Sequence, residues 1–526
     1  MQTQIQSNRI NAFKIQNILF LLVSTPLFSQ KFQGIAESNY AGTIGVFNNP
    51  ANVVDTRQMV FINLAGVGID YQSNYVRWNA PFSVGKMMLG IVPEEYKNSS
   101  NGKIIMKDSY NKTNNNVQNV AAYLNGAILG PSIGLDIKKW GLGAAGGIRY
   151  RYLNSISNTD PSIGHSLVHG AKSKELIGQN FDNSSIYFNS GFFNELYGTL
   201  GKVIINDEDR LIKIGATAKY LYSNSFGSIV GNNFSFKLDN NSIDPTLNEL
   251  VLTNVTGSIA VASLFSTLDK SNFTSQLTAL NGLGKGIGLD LGVVYEYRPD
   301  YHLFSRNRKG KNYTDPTQNK YLYKISFSVV DLGFLKFSDP LVNVNSLDGK
   351  TQTINFGDIR KFGGIEKLID DLEGVFGLGK GATSFNILMP ASAITSFDYK
   401  FSEKIYFNLT YRQYLLPSAR RGVIGHSGLS FTPRFEKKML EFALPVSLDN
   451  NFRNFNLGIA MRAAGLYFGA DNITGLLNTF NPRGASFFAG AFIPIYHRLP
   501  ESPLKCFEVE NRPSYRKKFK LFQKKR

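Results

Sequence analysis

Several stretches of this chain alternate apolar and polar side chains at every second position. Residues 211–223 place Ile212, Ile214, Ala216, Ala218, Tyr220 and Tyr222 in one set and Lys213, Gly215, Thr217 and Lys219 in the other. Residues 286–298 and 321–331 repeat this pattern. A period of two is typical of β-strands with one apolar and one polar face. Such strands form either a soluble sandwich with the apolar face in its core or a membrane barrel with that face toward lipid.

The lengths of the connections separate these two folds. We expect fourteen strands, near residues 58–70, 121–136, 141–155, 186–204, 210–223, 285–298, 321–334, 388–401, 405–415, 427–435, 438–447, 455–463, 465–471 and 484–497. Short connections follow the second, fourth, eighth and tenth strands, whereas long ones follow the first, third, fifth and seventh. Outer-membrane barrels alternate short periplasmic turns with long external loops over an even number of strands. We therefore predict an all-β fold, an antiparallel transmembrane β-barrel over residues 58–498.

Three connections depart from this simple pattern. Residues 299–320 form a long basic segment where a short turn is expected. Apolar residues recur at helical spacing in residues 364–377, and a second apolar, helix-like stretch covers residues 247–268. We therefore predict helical insertions in two loops, where they would cap the rim, plug the lumen or present a docking face.

The N-terminal residues 1–29 resemble a secretory signal peptide. Arg9 and Lys14 precede a short apolar run at residues 18–23, and Ser29 provides a small residue for cleavage. The alternative is an amphipathic first helix of a cytosolic protein. The run is too short to cross a bilayer as a helix, which needs ~20 apolar residues, and no later run approaches that length. An exported chain of this kind is either released or closed into a barrel, so we predict the outer membrane of a Gram-negative bacterium.

The titratable residues do not suggest an enzyme. The single cysteine, Cys506, excludes an intramolecular disulfide and a cysteine-based metal site. The five histidines are scattered, and His165 and His169, four residues apart, have no carboxylate or cysteine nearby in the sequence. We therefore expect no catalytic site, no metal and no cofactor.

The net charge of +18 points to anionic partners. Basic residues concentrate in residues 298–311 and in the C-terminal residues 499–526. No nucleic-acid-binding motif accompanies them, so lipid headgroups and lipopolysaccharide are the expected partners and nucleic acid is not. The basic tail is either a solvated periplasmic tail or an attachment site for an acidic protein partner or the inner leaflet.

The segment before the first strand carries a recognisable motif. Residues 36–42 read AESNYAG, and residues 48–52 read NNPAN. Together with VDLG at 330–333, LMPA at 388–391, GLYFGADN at 465–472 and FIPIY at 492–496, this resembles the long-chain fatty-acid transporter superfamily of outer-membrane barrels. It is nearest to an uncharacterised family of Bacteroidota outer-membrane proteins. The resemblance implies that residues 30–57 form a hatch folded into the lumen, with Asn49, Pro50 and Ala51 as its motif.

The alternating strands also yield candidate site residues. The polar faces place the charged side chains of Lys213, Lys219, Asp290, Glu296 and Lys324 in the lumen. They serve transport or form a polar network that stiffens the wall. We expect Asp290→Arg to be milder than Leu291→Arg, which would place a charge in lipid. The apolar faces end in an aromatic girdle at the membrane interfaces, formed by Tyr220 and Tyr222 at one rim and by Tyr295, Tyr297, Tyr321 and Tyr323 at the other.

Two functions remain open from the sequence. The first is passage of a small hydrophobic molecule through the barrel. The second is a barrel that does not transport and instead acts as a scaffold or accessory subunit of a secretion or assembly complex. A continuous hydrophobic path would favour the first, and apolar patches on the loops would favour the second.

Overall fold

The computed structural model describes residues 31–169, 176–207, 209–240, 248–263, 282–308, 311–355, 374, 376–480 and 482–498. The predicted signal peptide, most of the helix predicted at 364–377, and the basic tail lie outside these residues. The strands are β1 (Gln58–Ser73), β2 (Val76–Trp78), β3 (Asn111–Thr113), β4 (Val120–Ile137), β5 (Leu142–Thr159), β6 (Asn180–Asn206), β7 (Arg210–Asn240), β8 (Asn248–Ser263), β9 (Gly284–Tyr297), β10 (Ser305–Arg308), β11 (Lys311–Thr314), β12 (Tyr323–Ser338), β13 (Val342–Ser346), β14 (Lys350–Asn355), β15 (Ser384–Leu388), β16 (Ser392–Lys400), β17 (Ile405–Tyr414), β18 (Gly428–Glu436), β19 (Leu440–Ala443), β20 (Val446–Asp449), β21 (Asn454–Leu457), β22 (Ile459–Ala463), β23 (Leu466–Ala470) and β24 (Gly484–Tyr496).

The helices are short. They are α1 (Val84–Met88), α2 (Pro161–His169) and α3 (Ile473–Leu477), with 3₁₀ turns at Gly42–Phe47, Pro50–Val53, Glu94–Tyr96, Asp108–Tyr110, Lys138–Trp140 and Tyr301–Phe304. Within the described part of the chain, none of the helices is both long and apolar enough to cross a bilayer.

The wall is a closed antiparallel barrel of fourteen strands, which confirms the predicted fold. Strands β1, β4, β5, β6, β7, β9 and β12 form one side, and β15 continued by β16, then β17 and β18, follow. The remaining wall strands are β19 continued by β20, β21 continued by β22, β23 and β24. Strand β24 pairs with β1 from Gln58↔Tyr496 to Gln72↔Gly484, and this pairing closes the sheet. Closure satisfies the backbone of both terminal strands, as a wall surrounded by lipid requires.

The outer face of the wall is apolar and exposed. Leu200 is 70% exposed, and Leu291 and Phe327 also point outward. Their neighbours Asp290 and Ser328 are buried on the inner face. A wide apolar belt on a closed barrel is stable in contact with lipid rather than water. We call the end with the long connections the upper end and the opposite end the lower end.

The predicted helix at residues 247–268 is wrong where the chain is described. Residues 248–263 form strand β8, which pairs with the upper part of β7 on one side and with β13 and β14 on the other. β7 is also longer than predicted, because it continues to Asn240 beyond the wall. Val251, Val255 and Ile259 are β-branched residues that favour a strand, and pairing with β7 decides the outcome. A short apolar run does not distinguish a strand from a buried helix by itself.

Candidate functional site

Residues 31–57, the hatch, lie inside the lower lumen. Asn49 has extended backbone, and its side-chain Oδ1 accepts a hydrogen bond from Ala51 N at 2.9 Å, which caps the 3₁₀ turn Pro50–Val53. Asn49 Nδ2 donates to the carbonyl oxygens of Val293 at 3.2 Å and Phe327 at 3.1 Å. Pro50 fits the first position of this turn because it has no N–H to satisfy. The motif therefore both turns the chain and ties it to β9 and β12.

The hatch lies on a row of four glycines, which we call the glycine row. Gly143, Gly201, Gly215 and Gly292 are direct partners across β5, β6, β7 and β9. A Cβ atom at Gly215 would lie 2.4 Å from Ala51 N, and one at Gly292 would lie 2.1 Å from Asn49 Oδ1. Glycine is therefore required wherever the hatch backbone approaches the wall this closely.

The fit of the hatch against the other two glycines is equally tight. A Cβ atom would lie 2.3 Å from Val53 O at Gly143 and 2.6 Å from Val53 Cγ1 at Gly201. On the outer side, the same four glycines help line an apolar depression of about 770 Å³. At these four positions only the strand backbone separates the hatch from the outer, lipid-facing surface of the wall.

Polar contacts tie the hatch to the rest of the wall. The Gln33 N–H donates to Asp471 Oδ1 at 2.9 Å. Ser38 Oγ donates to Glu441 Oε2 at 2.8 Å, and Thr43 Oγ1 and Ser132 Oγ share a hydrogen bond of 2.9 Å. Lys31 is ion-paired with Asp449. The hatch is thus held on several sides of the barrel by directional contacts.

The lower end of the hatch is held by charge. Asp55 is ion-paired with Lys138 and with Arg298, the latter at 2.6 Å. Burial alone would raise the pKa of Asp55, but the cations Lys138 and Arg298 hold it well below its usual value. Lys213 Nζ donates to Val54 O at 2.9 Å and lies 3.6 Å from Glu296 Oε1.

A second charged network lies at mid-height. Glu195 accepts from Arg149 at 2.5 Å and from Arg151 at 2.8 Å. Lys219 Nζ lies 2.7 Å from both Asp290 Oδ1 and Asp331 Oδ1. These charges are compensated by partners, which is what a buried charge needs in a protein interior.

The structure places all five predicted lumenal residues on the inner face. Lys213, Lys219, Asp290 and Glu296 are buried, and Lys324 is half-buried with its Nζ 3.6 Å from Asp398 Oδ2. Each has a partner of opposite charge. Strand alternation brings these residues inward, but their partners Asp331, Arg298 and Asp398 are absent from the predicted set.

The predicted girdle is wrong for Tyr321. Its hydroxyl donates to Asp398 Oδ2 at 2.7 Å inside the lumen and it contacts Asn39 of the hatch. The reason is that Tyr321 precedes the first residue of β12, so the alternation of that strand does not govern it. Tyr222 lies beside Tyr220, with ring centroids 6.0 Å apart, but it is buried whereas Tyr220 is exposed.

The other four tyrosines are at least partly exposed. Tyr220 is 40% exposed. Tyr295 and Tyr297 pack their rings against Tyr323, with centroids 6.4 Å and 5.1 Å apart. These three rings form one cluster at the lower end of β9 and β12.

A cavity of about 120 Å³ lies above the hatch. Its apolar lining comes from hatch, wall and one loop, and comprises Phe32, Ile44, Phe47, Ala127, Leu129, Leu153, Val330, Pro390 and Ile424. Its polar and charged lining comprises Lys31, Asn48, Asp70, Asn125, Arg149, Arg151, Asp331, Ser392, Arg412 and His426. The cavity is therefore amphipathic, with both an apolar surface and a cluster of cations.

The roof of this cavity is the connection at residues 415–427, the upper loop, which folds into the barrel. The Gly422 N–H donates to Asn189 Oδ1 and the Ser427 N–H to Asn451 Oδ1, both at 2.9 Å. Ser157 Oγ donates to Ser418 O at 2.8 Å. The sequence does not predict this inward fold, because the residues that hold the loop come from distant strands.

Above the charged network lies an aromatic layer, formed by the inward side chains of Phe193, Phe226, Phe337 and Phe385. The rings of Phe337 and Phe385 are stacked with centroids 4.7 Å apart, and Phe226 lies 5.6 Å from Phe337. This part of the upper lumen is thus apolar, whereas the network directly below it is charged.

Within the described residues, no cluster of three or more His, Cys, Asp or Glu side chains could hold a metal ion.

Comparison with known proteins gives one family and several barrels. Residues 50–471 match a family described as a family of unknown function, DUF5723. No curated protein is significantly similar to this chain.

Solved structures similar to the chain are outer-membrane barrels with few residues in common. The toluene transporter TbuX of Ralstonia pickettii is 9% identical, with 93% of this chain and 100% of that chain covered and a TM-score of 0.35. A FadL homologue of Pseudomonas aeruginosa is 10% identical over 90% of this chain and 99% of that chain, with a TM-score of 0.29. The monoaromatic hydrocarbon channel CymD is 9% identical over 90% of this chain and 98% of that chain, with a TM-score of 0.32. These scores are low, so the fold assignment rests on the strand pairing of this chain.

Proposed function

Since this chain belongs to the DUF5723 family of unknown function, we propose from its own geometry that it passes a small hydrophobic molecule across the outer membrane. The molecule would enter through the aromatic layer, rest in the cavity above the hatch and leave when the hatch moves.

One observation carries this proposal. The cavity lies between two segments that are not wall strands, the hatch below and the upper loop above. The hatch is held by side-chain hydrogen bonds, ion pairs and apolar packing, and the upper loop by hydrogen bonds to side chains, so neither belongs to the continuous strand ladder of the wall. Each segment can therefore be displaced while the wall stays closed, so that the cavity opens to one side at a time.

The apolar lining supports a hydrophobic cargo. Phe47 of the hatch packs its ring edge-on against Tyr197, with centroids 5.2 Å apart, and Phe32 packs against Phe488 at 5.3 Å. A molecule in the cavity would contact these rings and Leu129 and Leu153 of the wall. Burial of apolar surface contributes roughly 25 cal/mol per Å².

A reversible cross-link of the hatch tests this function. Thr43 of the hatch and Ser132 of β4 share a hydrogen bond of 2.9 Å, which places their side-chain tips close enough for a disulfide. The double variant Thr43→Cys/Ser132→Cys, in a Cys506→Ser background, would be reconstituted in liposomes. Uptake of a small aromatic hydrocarbon would be followed before and after oxidation.

Passage by the oxidised protein should fall to the level of liposomes without protein and return on reduction. The single variants Thr43→Cys and Ser132→Cys serve as controls, because neither can lock the hatch. Equal passage by the oxidised and reduced double variants would show that hatch movement is not required.

A second function is favoured by a different feature, an apolar patch on the upper rim. Leu89 is 73% exposed and Phe480 is 88% exposed, and Ile91 and Leu477 are also exposed. The helices α1 and α3 that carry this rim patch pack on each other, with Asn478 Nδ2 donating to Ala80 O at 3.0 Å. An exposed patch of this kind is typical of a protein interface. We propose on this basis a scaffold role toward an apolar surface of another outer-membrane protein.

The double variant Leu89→Asp/Phe480→Asp separates the two functions. If the barrel is a scaffold, the variant should lose the proteins that co-purify with the wild type from native membranes while hydrocarbon passage is unchanged. Unchanged co-purification, compared quantitatively with the wild type, would remove the support for the scaffold.

A further inference from the structure

One lumenal arginine, Arg412, forms no ion pair within 4 Å with any carboxylate of the described residues. Arg412 projects from β17 into the cavity, and its one hydrogen bond to a described residue is to Asn48 Oδ1 of the hatch, at 3.2 Å. Arg151, Arg434 and Arg462 by contrast lie 2.8–2.9 Å from the carboxylates of Glu195, Asp398 and Glu441, respectively. Arg412 is half-buried, and the carboxylates of Asp331, Glu37 and Asp449 act on it only from beyond ion-pair distance. Its remaining guanidinium N–H groups can therefore donate to an anion in the cavity.

A buried histidine lies at the same cavity. His426 of the upper loop is 6% exposed, and neither ring nitrogen has a hydrogen-bond partner among the described residues. Its ring packs against Tyr123 with centroids 4.9 Å apart. Burial, with the cations Lys31 and Arg412 nearby, lowers the pKa of His426 to about 3, so the ring is neutral and can donate one N–H.

Two carboxylates also line the cavity. Asp331 is paired with cations already, since it lies 3.0 Å from Arg151 and 2.7 Å from Lys219. Asp70 accepts a hydrogen bond from Gln72 Nε2 at 2.9 Å. Lys31, Arg149 and Arg151 are ion-paired with Asp449 and Glu195, which leaves Arg412 as the lining cation that has no ion pair within the described residues.

The volume of the cavity limits the size of the apolar group that a bound anion can carry. A volume of about 120 Å³ is of the order of the ~150 Å³ cavity that holds one benzene molecule. The hatch and the upper loop border it below and above. One ring, or a branched group of that size, fits against Ile44, Phe47 and Leu153.

We propose that the cavity binds a small aromatic or branched monocarboxylate. Its carboxylate would pair with Arg412 and accept from His426, and its apolar part would lie on the hatch side chains Ile44 and Phe47. This inference rests on the proposed passage function and names the class of its cargo.

Fluorine NMR of two matched probes tests the assignment. 4-Fluorobenzoate and 4-fluorobenzyl alcohol have nearly the same size, but only the first is charged at pH 7.5. Each would be titrated into the full-length protein in a nonionic detergent, and line broadening and shift would give the dissociation constant. The alcohol also reports partition into the micelle.

Wild-type protein should bind the benzoate at least about tenfold more tightly than the alcohol, which corresponds to ~1.4 kcal/mol. Arg412→Gln should abolish that preference while leaving binding of the alcohol unchanged. Arg412→Lys should retain part of it, because the charge is kept but the two-pronged geometry is lost. Arg210→Gln, which removes a cation from an exposed turn, is the matched control and should behave as wild type.

Equal binding of the two probes by wild type, or a preference that survives Arg412→Gln, would overturn the inference. Heat-modifiable migration on gels checks that each variant remains a folded barrel. Failure of hydrocarbon passage in the cross-linking experiment would count against the proposed function without altering these binding constants, so the two failures are distinguishable.

Discussion

The lower and upper halves of the lumen are filled by different parts of the chain. The lower half holds a separate segment, the hatch, through ion pairs and hydrogen bonds such as Asp55–Arg298 and Ser38–Glu441 in addition to apolar packing. The upper half is filled by apolar side chains of the wall and the upper loop, in the layer around Phe193 and Phe337. Directional contacts fix one position of a movable segment, whereas apolar packing tolerates small shifts. If the proposed function holds, the hatch in the lower half is the segment that would move and the aromatic layer in the upper half is the surface that an apolar molecule would meet first.

The largest effect is expected from the charged network. Glu195→Ala removes the carboxylate that compensates Arg149 and Arg151, which leaves two buried cations with less compensation. We expect a loss of about 3–5 kcal/mol in the free energy of unfolding, measured by denaturant titration in micelles. A loss smaller than that caused by a substitution in the aromatic layer would show that the charged network contributes less to the free energy of unfolding than the aromatic layer does.

A smaller but more specific effect is expected at the glycine row. Gly215→Val places side-chain atoms where Pro50 and Ala51 lie and should cost ~1–3 kcal/mol through overpacking. It should also displace the hatch and raise the permeability of cells to a chromogenic β-lactam. Gly198→Val on β6 is the control, because a Cβ there meets no atom within 4 Å. A leak of the same size in both variants would show that the glycine row is not what keeps the hatch in its position.

The aromatic layer should respond more mildly. Phe337→Leu keeps an apolar side chain in a packed cluster but removes the ring that stacks on Phe385, so we expect a loss of about 1–2 kcal/mol. Permeability to the β-lactam should not change, because the hatch is not touched. A leak in this variant would mean that the upper half also seals the barrel.

The smallest effect at neutral pH is expected from the protonation of Asp55. The pKa of Asp55 is held well below its usual value, so its ion pairs stabilise the hatch at pH above the unfolded-state pKa of ~3.9 and are lost as pH falls below it. The β-lactam leak should therefore stay flat from pH 8 to pH 5, as judged by reconstituted liposomes, and rise only in stronger acid. Asp55→Asn should leak at all pH values, and a wild-type leak that rises between pH 8 and pH 6 would contradict this assignment.

The sequence predicts the wall better than its contents. Alternation is a local property, so the inward positions of Lys213 and Asp290 could be read directly from it. The partner of Asp290 could not be predicted from alternation. Asp290 forms an ion pair with Lys219 at 2.7 Å, which changes the expected order of two substitutions. Asp290→Arg would place a cation beside Lys219 and should not be milder than Leu291→Arg.

The remaining errors and omissions have one physical origin, contacts between residues far apart in the chain. Tyr321 turns inward because it meets Asp398 and Asn39. The upper loop folds inward because Asn189 and Asn451 hold it. The glycine row exists through the register of four strands, which no single strand reveals.

The glycine row also has a consequence for local unfolding. Each glycine makes its strand position about 0.5–1 kcal/mol less favourable than alanine would, because the unfolded backbone is freer. Four such positions in register make a weak seam across β5, β6, β7 and β9, and the hatch covers it. Amide hydrogens along this seam should therefore exchange with solvent deuterium slowly only while the hatch is seated. Exchange at four wall positions would then report on the motion of a segment that is not part of the wall.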